Sequence, residues 1–164
     1  MIIGIVAGSP SSGSGPGPDP GADAHKYWRL WVSETSSRDS YFVAANTLEL
    51  RSVVGGPSVA VGGTASQSSA YPGQEAANLF DGDDDTAWTS AHTAVGPQWA
   101  QYEFASAVEI VQMRMVAGDT SARRARAPKD FKLQYSDDGS TWADAVSYSD
   151  EAAWSATESR IFLV

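Results

Sequence analysis

RAPKDFKLQYSDDGSTW, residues 126–142, alternates at its centre. Phe131, Leu133 and Tyr135 fall on one side of an extended chain, and Lys132 and Gln134 fall on the other. Successive side chains of a strand point to opposite faces, so this period buries one face and wets the other. The same short, β-branched and aromatic character recurs in KYWRLWV (26–32), TLELRSV (47–53), WAQYEF (99–104), VEIVQMRMV (108–116) and SRIFLV (159–164). Gly, Ser, Asp and Pro fill the gaps, and GQEAANLF (73–80) is the only stretch that reads as a helical turn. Strands separated by turn residues, with little helix, predict an all-β, antiparallel β-sandwich.

At 164 residues the chain suits one domain with an extension. Its 11 basic and 20 acidic residues give a formal net charge of −9, the wrong sign for phosphate backbones or anionic membrane surfaces. No nucleic acid is expected as a partner. With no cysteine, neither a disulfide framework nor a thiolate metal site is available. No apolar run approaches the roughly 18 residues that span a bilayer, so a soluble chain without membrane insertion is expected.

The N-terminal MIIGIVAG (1–8) has no positive region before its short apolar core and reads as mature protein rather than a secretory signal. SPSSGSGPGPDPGADA (9–24) follows, holding four of the eight prolines and almost nothing that could enter a core, and reads as a flexible tether. An apolar, β-prone peptide on a tether is an aggregation hazard unless it pairs with something. Met1, Ile2, Ile3, Ile5 and Val6 are therefore candidates for an assembly anchor that adds a strand to a partner or to other copies of the chain. The plain alternative is a disordered start. The third region, 25–164, holds the strands.

NLFDGDDDTAWTS (78–90) gathers four aspartates around a glycine. Asp-Gly is a turn signal whether or not anything binds there, so a solvated turn, an acidic run, a helix end and a cage for a hard cation all remain open. A plain turn leaves the mutual repulsion of Asp83, Asp84 and Asp85 unexplained, and a divalent cation would remove it. The loop is no EF-hand, because Thr86 stands where the sharp-turn glycine is needed and His92 where the bidentate glutamate is needed.

Taken together, ANLFDGDDDTAWTS (77–90), GPQWAQYEF (96–104) and RAPKDFKLQYSDDGSTW resemble the discoidin family, also called the coagulation factor 5/8 type C domain. The resemblance covers nearly all of residues 27–164 and implies an eight-stranded jelly roll. KYWRLWV and NTLELRS look like strands that usually close this domain yet precede its start here, so the module reads as circularly permuted. An aromatic-rich YWRL strand leading into this pattern resembles proteins of bacteriophage particles.

The resemblance also implies a structural Ca2+ held by Asp81, Asp83 and Thr86, with the Asn78 carbonyl as a further ligand. The family's distant glutamate falls at Thr47, with Glu49 two residues on along the same strand face. A sugar site is implied on loops near the metal loop, where an aromatic face and a few fixed polar groups are needed. His92, Tyr71 and the basic loop bearing Arg123, Arg124 and Arg126 are its candidates, each also readable as an ordinary loop residue. Trp28, Trp88, Trp99 and Trp142 stand where family members pack the sandwich, whereas Trp31 and Trp154 are freer.

Catalysis is not expected. There are two histidines, no cysteine, and no GxSxG, HExxH or Walker-type sequence, and His25 reads as a solvated side chain before the first strand. The expected function is a non-catalytic phage virion protein, of fibre, spike or head-decoration type, that binds host cell-surface glycan and joins other virion proteins through its N-terminal arm. Homo-oligomers are compatible with this reading. A purely structural capsid or tail decoration protein with no active sugar site is one alternative, and a carbohydrate-binding module partnering a secreted glycosidase is the other.

Overall fold

The computed structural model describes residues 23–37 and 42–164. The anchor candidates Met1, Ile2, Ile3, Ile5 and Val6, and the tether as far as residue 22, lie outside the described residues. The strands are β1 (Ala24–Thr35), β2 (Ala44–Ala45), β3 (Thr47–Arg51), β4 (Thr64–Gln67), β5 (Trp88–Thr89), β6 (Gln98–Glu109), β7 (Gln112–Val116), β8 (Pro128–Ser136), β9 (Ala143–Tyr148) and β10 (Ser159–Leu163). All pairings are antiparallel. They form a five-stranded sheet in the order β4-β6-β1-β8-β9, a three-stranded sheet β10-β7-β3 and a two-stranded ribbon β2-β5.

Alternation builds the core. Trp28, Leu30 and Val32 of β1, Ala100, Tyr102 and Phe104 of β6, and Phe131 and Leu133 of β8 are buried from one sheet. Leu48, Leu50, Met113, Met115 and Phe162 are buried from the other. Each such large side chain contributes about 1.5–3 kcal/mol relative to exposure. The run VEIVQMRMV, which reads as one strand, is divided between β6 and β7 because the chain crosses from one sheet to the other there. Ile110 is buried at the crossing, and the Val111 N–H donates to the Arg51 carbonyl at 2.9 Å.

Among the described residues, helix is confined to a 3-10 turn at Ala76–Leu79, where the sequence places it, and to α1 (Ser121–Ala125), which the sequence reading does not anticipate. The Thr120 hydroxyl caps α1 by accepting from the Arg123 N–H at 3.2 Å.

The tryptophans depart from expectation in both directions. Trp28 and Trp88 are core, but Trp99 and Trp142 are only half-buried. Trp99 alternates with the inward Ala100 and so faces out, opposite Trp31 of β1. Trp154 is buried, with its indole N–H donating to the Pro128 carbonyl at 3.1 Å and the Arg160 guanidinium 4.0 Å from its ring. His25 is no solvated residue either. It lies in β1, stacked on Tyr135 with ring centres 3.7 Å apart, with Nδ1 3.0 Å from Asp137.

The turn between β8 and β9 is set by Asp138, whose carboxylate accepts from the backbone N–H of Thr141 at 2.7 Å and of Ser140 at 2.8 Å. These bonds, with one to Ser136, hold its carboxyl well below the usual carboxylate range. The stabilisation is therefore fully present above the ordinary value of about 4 and is lost as pH falls through the lower folded value. Asp138→Ala is expected to be less stable than wild type at about pH 6, with the gap narrowing toward about pH 2.5 in urea titrations.

Candidate functional site

The acidic loop turns at Gly82, whose φ of 78° is the left-handed conformation glycine adopts without strain. Asp81 Oδ1 accepts from the Asp83 N–H, and Asp83 Oδ1 from the Asp85 N–H, both at 2.9 Å. Two successive Asx turns thus use one oxygen of each carboxylate. The other Asp81 oxygen lies 2.8 Å from the Thr86 hydroxyl, which is also 3.1 Å from the carbonyls of Asn78 and Asp83.

That hydroxyl has one proton for three acceptors. Nearby, the wholly buried Asn46 donates its Nδ2 to the Asp84 carbonyl at 2.7 Å, while its Oδ1 has no hydrogen-bond partner among the described residues. Oxygen acceptors here outnumber the protons available to them, and hard cations bind through such oxygens. Asn78, Asp81, Asp83 and Thr86 converge, with Asp83 offering its carbonyl rather than its carboxylate. Among the described residues no three His, Asp or Glu side chains gather as a metal cluster, so carbonyl and hydroxyl oxygens make up most of this donor set.

Thr47, at the position of the family's glutamate, faces the loop. Its hydroxyl is 2.6 Å from Asp84 Oδ1 and 3.4 Å from the Asp83 carbonyl. Glu49 is turned to arginines: its carboxylate pairs with Arg114 at 2.7 Å and with Arg51. Arg114 reaches on to Asp84 at 3.0 Å and so ties β3 and β7 to the loop. Burial works to raise the Asp84 carboxyl, but its bonds to Arg114 and Thr47 prevail and hold it below the usual range.

Beside this loop lies a cleft of about 350 Å³ lined by Phe42, Tyr71, Gln74, Thr89, His92 and Arg126. The ribbon and its neighbours build it. The Tyr71 N–H donates to the Thr89 carbonyl at 2.7 Å, the Thr89 N–H to the Gln74 carbonyl at 3.0 Å, and the Thr89 hydroxyl to Gln74 Oε1. Across the ribbon, the Ala44 N–H donates to the Arg126 carbonyl at 2.9 Å, placing Arg126 over Phe42 with its guanidinium 3.9 Å from the ring centre. His92 meets the Phe42 ring edge-on at 5.3 Å, and Tyr71 stands 6.5 Å away. The Asn78 amide joins loop to cleft by donating to the carbonyls of Ala87 at 3.1 Å and Gly73 at 3.3 Å.

Three of the sequence candidates, Tyr71, His92 and Arg126, therefore share one cleft. Arg123 and Arg124 do not line it. Arg123 pairs with the Asp119 carboxylate at 3.2 Å, and Arg124 donates to the Asp119 carbonyl at 2.6 Å. The sequence reading misses Phe42, Gln74 and Thr89 in the cleft, and Asn46, Asp84 and Arg114 behind the loop. The Glu49 and Arg114 pair, directly opposed in register, is the only cross-strand charge signal among them.

The cleft offers an aromatic floor, and Arg126 has no ion pair or side-chain hydrogen bond among the described residues, although Arg51, Arg114, Arg123 and Arg160 each hold a carboxylate. Uncommitted donors beside aromatic faces can orient a polar ring-shaped ligand. No helix among the described residues is long and apolar enough to cross a membrane. No curated protein and no solved structure gives a match. The sequence pattern of the F5/8 type C domain matches residues 63–162, more than half of the chain, and it includes the acidic loop, His92 and the loop carrying Arg126. Domains of this kind are typically non-catalytic binding modules, and the chain belongs to the F5/8 type C domain family.

Proposed function

We propose that the chain is a non-catalytic phage virion protein that binds host-surface glycan in the Tyr71, Phe42, His92 and Arg126 cleft. β1 and β3 are read as the closing strands of the family domain moved to its front, and residues 1–8 as the attachment to other virion proteins. The observation that carries the glycan reading is Phe42. Phe42 is buried, capped by Arg126 and met edge-on by His92, so it fixes these polar groups beside the exposed ring of Tyr71, the aromatic face open to a ligand.

The test is the full chain, displayed in many copies on a bacterial glycan array because single sugar sites bind weakly. Arg126→Ala and Tyr71→Ala are expected to lose tenfold or more of the selective signal, and Arg123→Ala to keep it. A folded protein that leaves the array silent would favour the structural decoration role.

The oxygen cluster at Asn78, Asp81, Asp83 and Thr86 is assigned to Ca2+, with Thr47 holding the loop from β3. The ion would brace the loop behind the cleft and supply no chemistry. Calcium is expected to add stability in proportion to the logarithm of its concentration, about 2.7 kcal/mol at a hundredfold excess over its dissociation constant, and to raise the melting temperature accordingly. Asp81→Asn should remove the response in a thermal-shift titration, whereas an equal response in that variant would place the ion elsewhere.

A further inference from the structure

The outer face of the five-stranded sheet carries a second arrangement of aromatics and polar groups that the cleft does not use. Register places Trp31 beside Trp99 and Lys132, and Arg29 between Gln101 and Gln134. A row of Ser66, Gln101, Arg29, Gln134 and Asp144 crosses all five strands, roughly 19 Å at the usual strand spacing. Trp142 lies against Arg29 at the centre of the row. The Arg29 guanidinium lies 4.0 Å from its ring centre and 5.8 Å from that of Trp99.

The charges here do not balance. Arg29 Nε donates to Gln134 Oε1 at 2.7 Å, but no described residue accepts from its two terminal nitrogens. The nearest carboxylate, Asp144, is committed at 2.6 Å to both Lys132 and Gln134. Glu103 further along is committed to Lys26 and Tyr27. Burial pulls Arg29 below the usual arginine range, with the charge of Asp144 opposing it. A guanidinium partly desolvated by two indoles and lacking a bonded anion is an unmet charge. Repulsion from the chain's net charge of −9 is screened beyond about 8 Å at physiological salt, so local charge decides what this face accepts.

We infer that this face is a second binding site, taking an acidic polysaccharide strand whose carboxylate pairs with Arg29 while its pyranose rings lie on Trp31 and Trp99. The length of the polar row suits a chain rather than a single sugar. A planar carboxylate matches the paired terminal N–H groups of arginine. The inference extends the glycan reading to another surface and rests on it for the class of ligand.

The test titrates the full chain with oligomers of galacturonate, alginate and hyaluronate, and with methyl-esterified galacturonate, by calorimetry and tryptophan fluorescence. Binding of at least one acidic oligomer is expected, at least tenfold weaker in Arg29→Gln and Trp99→Ala and unchanged in Arg123→Ala, whose side chain is held by Asp119 away from both surfaces. If galacturonate is the oligomer bound, its methyl ester should bind at least tenfold more weakly. Arg29→Gln carries the test by itself if Trp99→Ala does not fold. Wild-type affinity in Arg29→Gln overturns the inference, as does absence of binding by folded wild type. A dimer abolished by Trp99→Ala would make the face a self-association surface and overturn it too. Loss in Tyr71→Ala alone would assign the binding to the cleft, whereas Arg29-dependent binding with a silent cleft would sink only the cleft reading.

Discussion

Trp88→Ala is expected to lower folding stability by about 3–5 kcal/mol, the usual cost of emptying a large aromatic site in a core. Trp88 is wholly buried, and it belongs to the two-stranded ribbon, where Ala45 opposes it. Its indole N–H donates to the Ser69 carbonyl at 3.1 Å, so the truncation leaves a void and an unpaired acceptor together. The residues around it carry the proposed function. Ala87, just before it, accepts from Asn78 of the acidic loop, and Thr89, just after it, lines the cleft. A domain holds about 5–15 kcal/mol in all, so the variant should unfold at markedly lower urea and lose cleft ligands first. Trp88→Phe keeps most of the volume and drops the N–H, and is expected to cost about 1–2 kcal/mol. Urea midpoints for the two variants separate packing from hydrogen bonding. A Trp88→Ala midpoint within experimental error of wild type would show that the ribbon is not part of the cooperative core.

What the sequence made legible follows its local periods. Phe131 and Leu133 are inward and Lys132 and Gln134 outward, as their alternation requires. The strands that escaped notice lack that contrast. TASQ of β4 has no large apolar residue, and ADAVSY of β9 offers only Val146 and Tyr148; both lie at sheet edges, where one face of pairing suffices. α1 escaped because a threonine cap and five residues leave no amphipathic stripe to read.

Within the candidate site, Tyr71, His92 and Arg126 are visible as loop residues of suitable chemistry, but Phe42 is not. It stands in none of the stretches whose pattern marks a strand or a motif, and the bond from the Ala44 N–H to the Arg126 carbonyl brings it under Arg126. Arg123 and Arg126 are indistinguishable by type, and the helix that turns one toward Asp119 and leaves the other over Phe42 separates them. In the sequence Asp84 is one aspartate of a repelling run, and only the fold brings Arg114, far along the chain, to it as a counter-charge.

That counter-charge sets the second large expectation, for Arg114→Met. Removing one member of a buried charge pair costs about 3–5 kcal/mol and of an exposed pair less than about 1. Arg114 and Glu49 have side chains 21% and 20% exposed and Asp84 45%, so a loss of about 2 kcal/mol is expected between these limits. Glu49 keeps Arg51, and Asp84 keeps the Thr47 hydroxyl, which limits the damage. The pH dependence follows from the direction of the Asp84 shift. Its folded carboxyl lies below the ordinary range, so its contribution is present above about pH 4 and disappears as pH falls through the folded value. The wild-type advantage over Arg114→Met should accordingly be largest near neutrality and shrink in acid. Asp84→Asn introduced into Arg114→Met should recover part of the stability, because it removes the carboxylate left without its partner, and a double-mutant cycle at two pH values measures the coupling. Additive losses at both pH values would mean that the Arg114–Asp84 pair contributes nothing and that Arg114 acts through Glu49 and packing. Calcium gives an independent readout. Removing the Arg114 cation leaves Asp84 uncompensated beside the proposed ion site and should tighten calcium binding, so the melting-temperature rise on adding calcium should be larger in Arg114→Met than in wild type, and absent when Asp81→Asn is added.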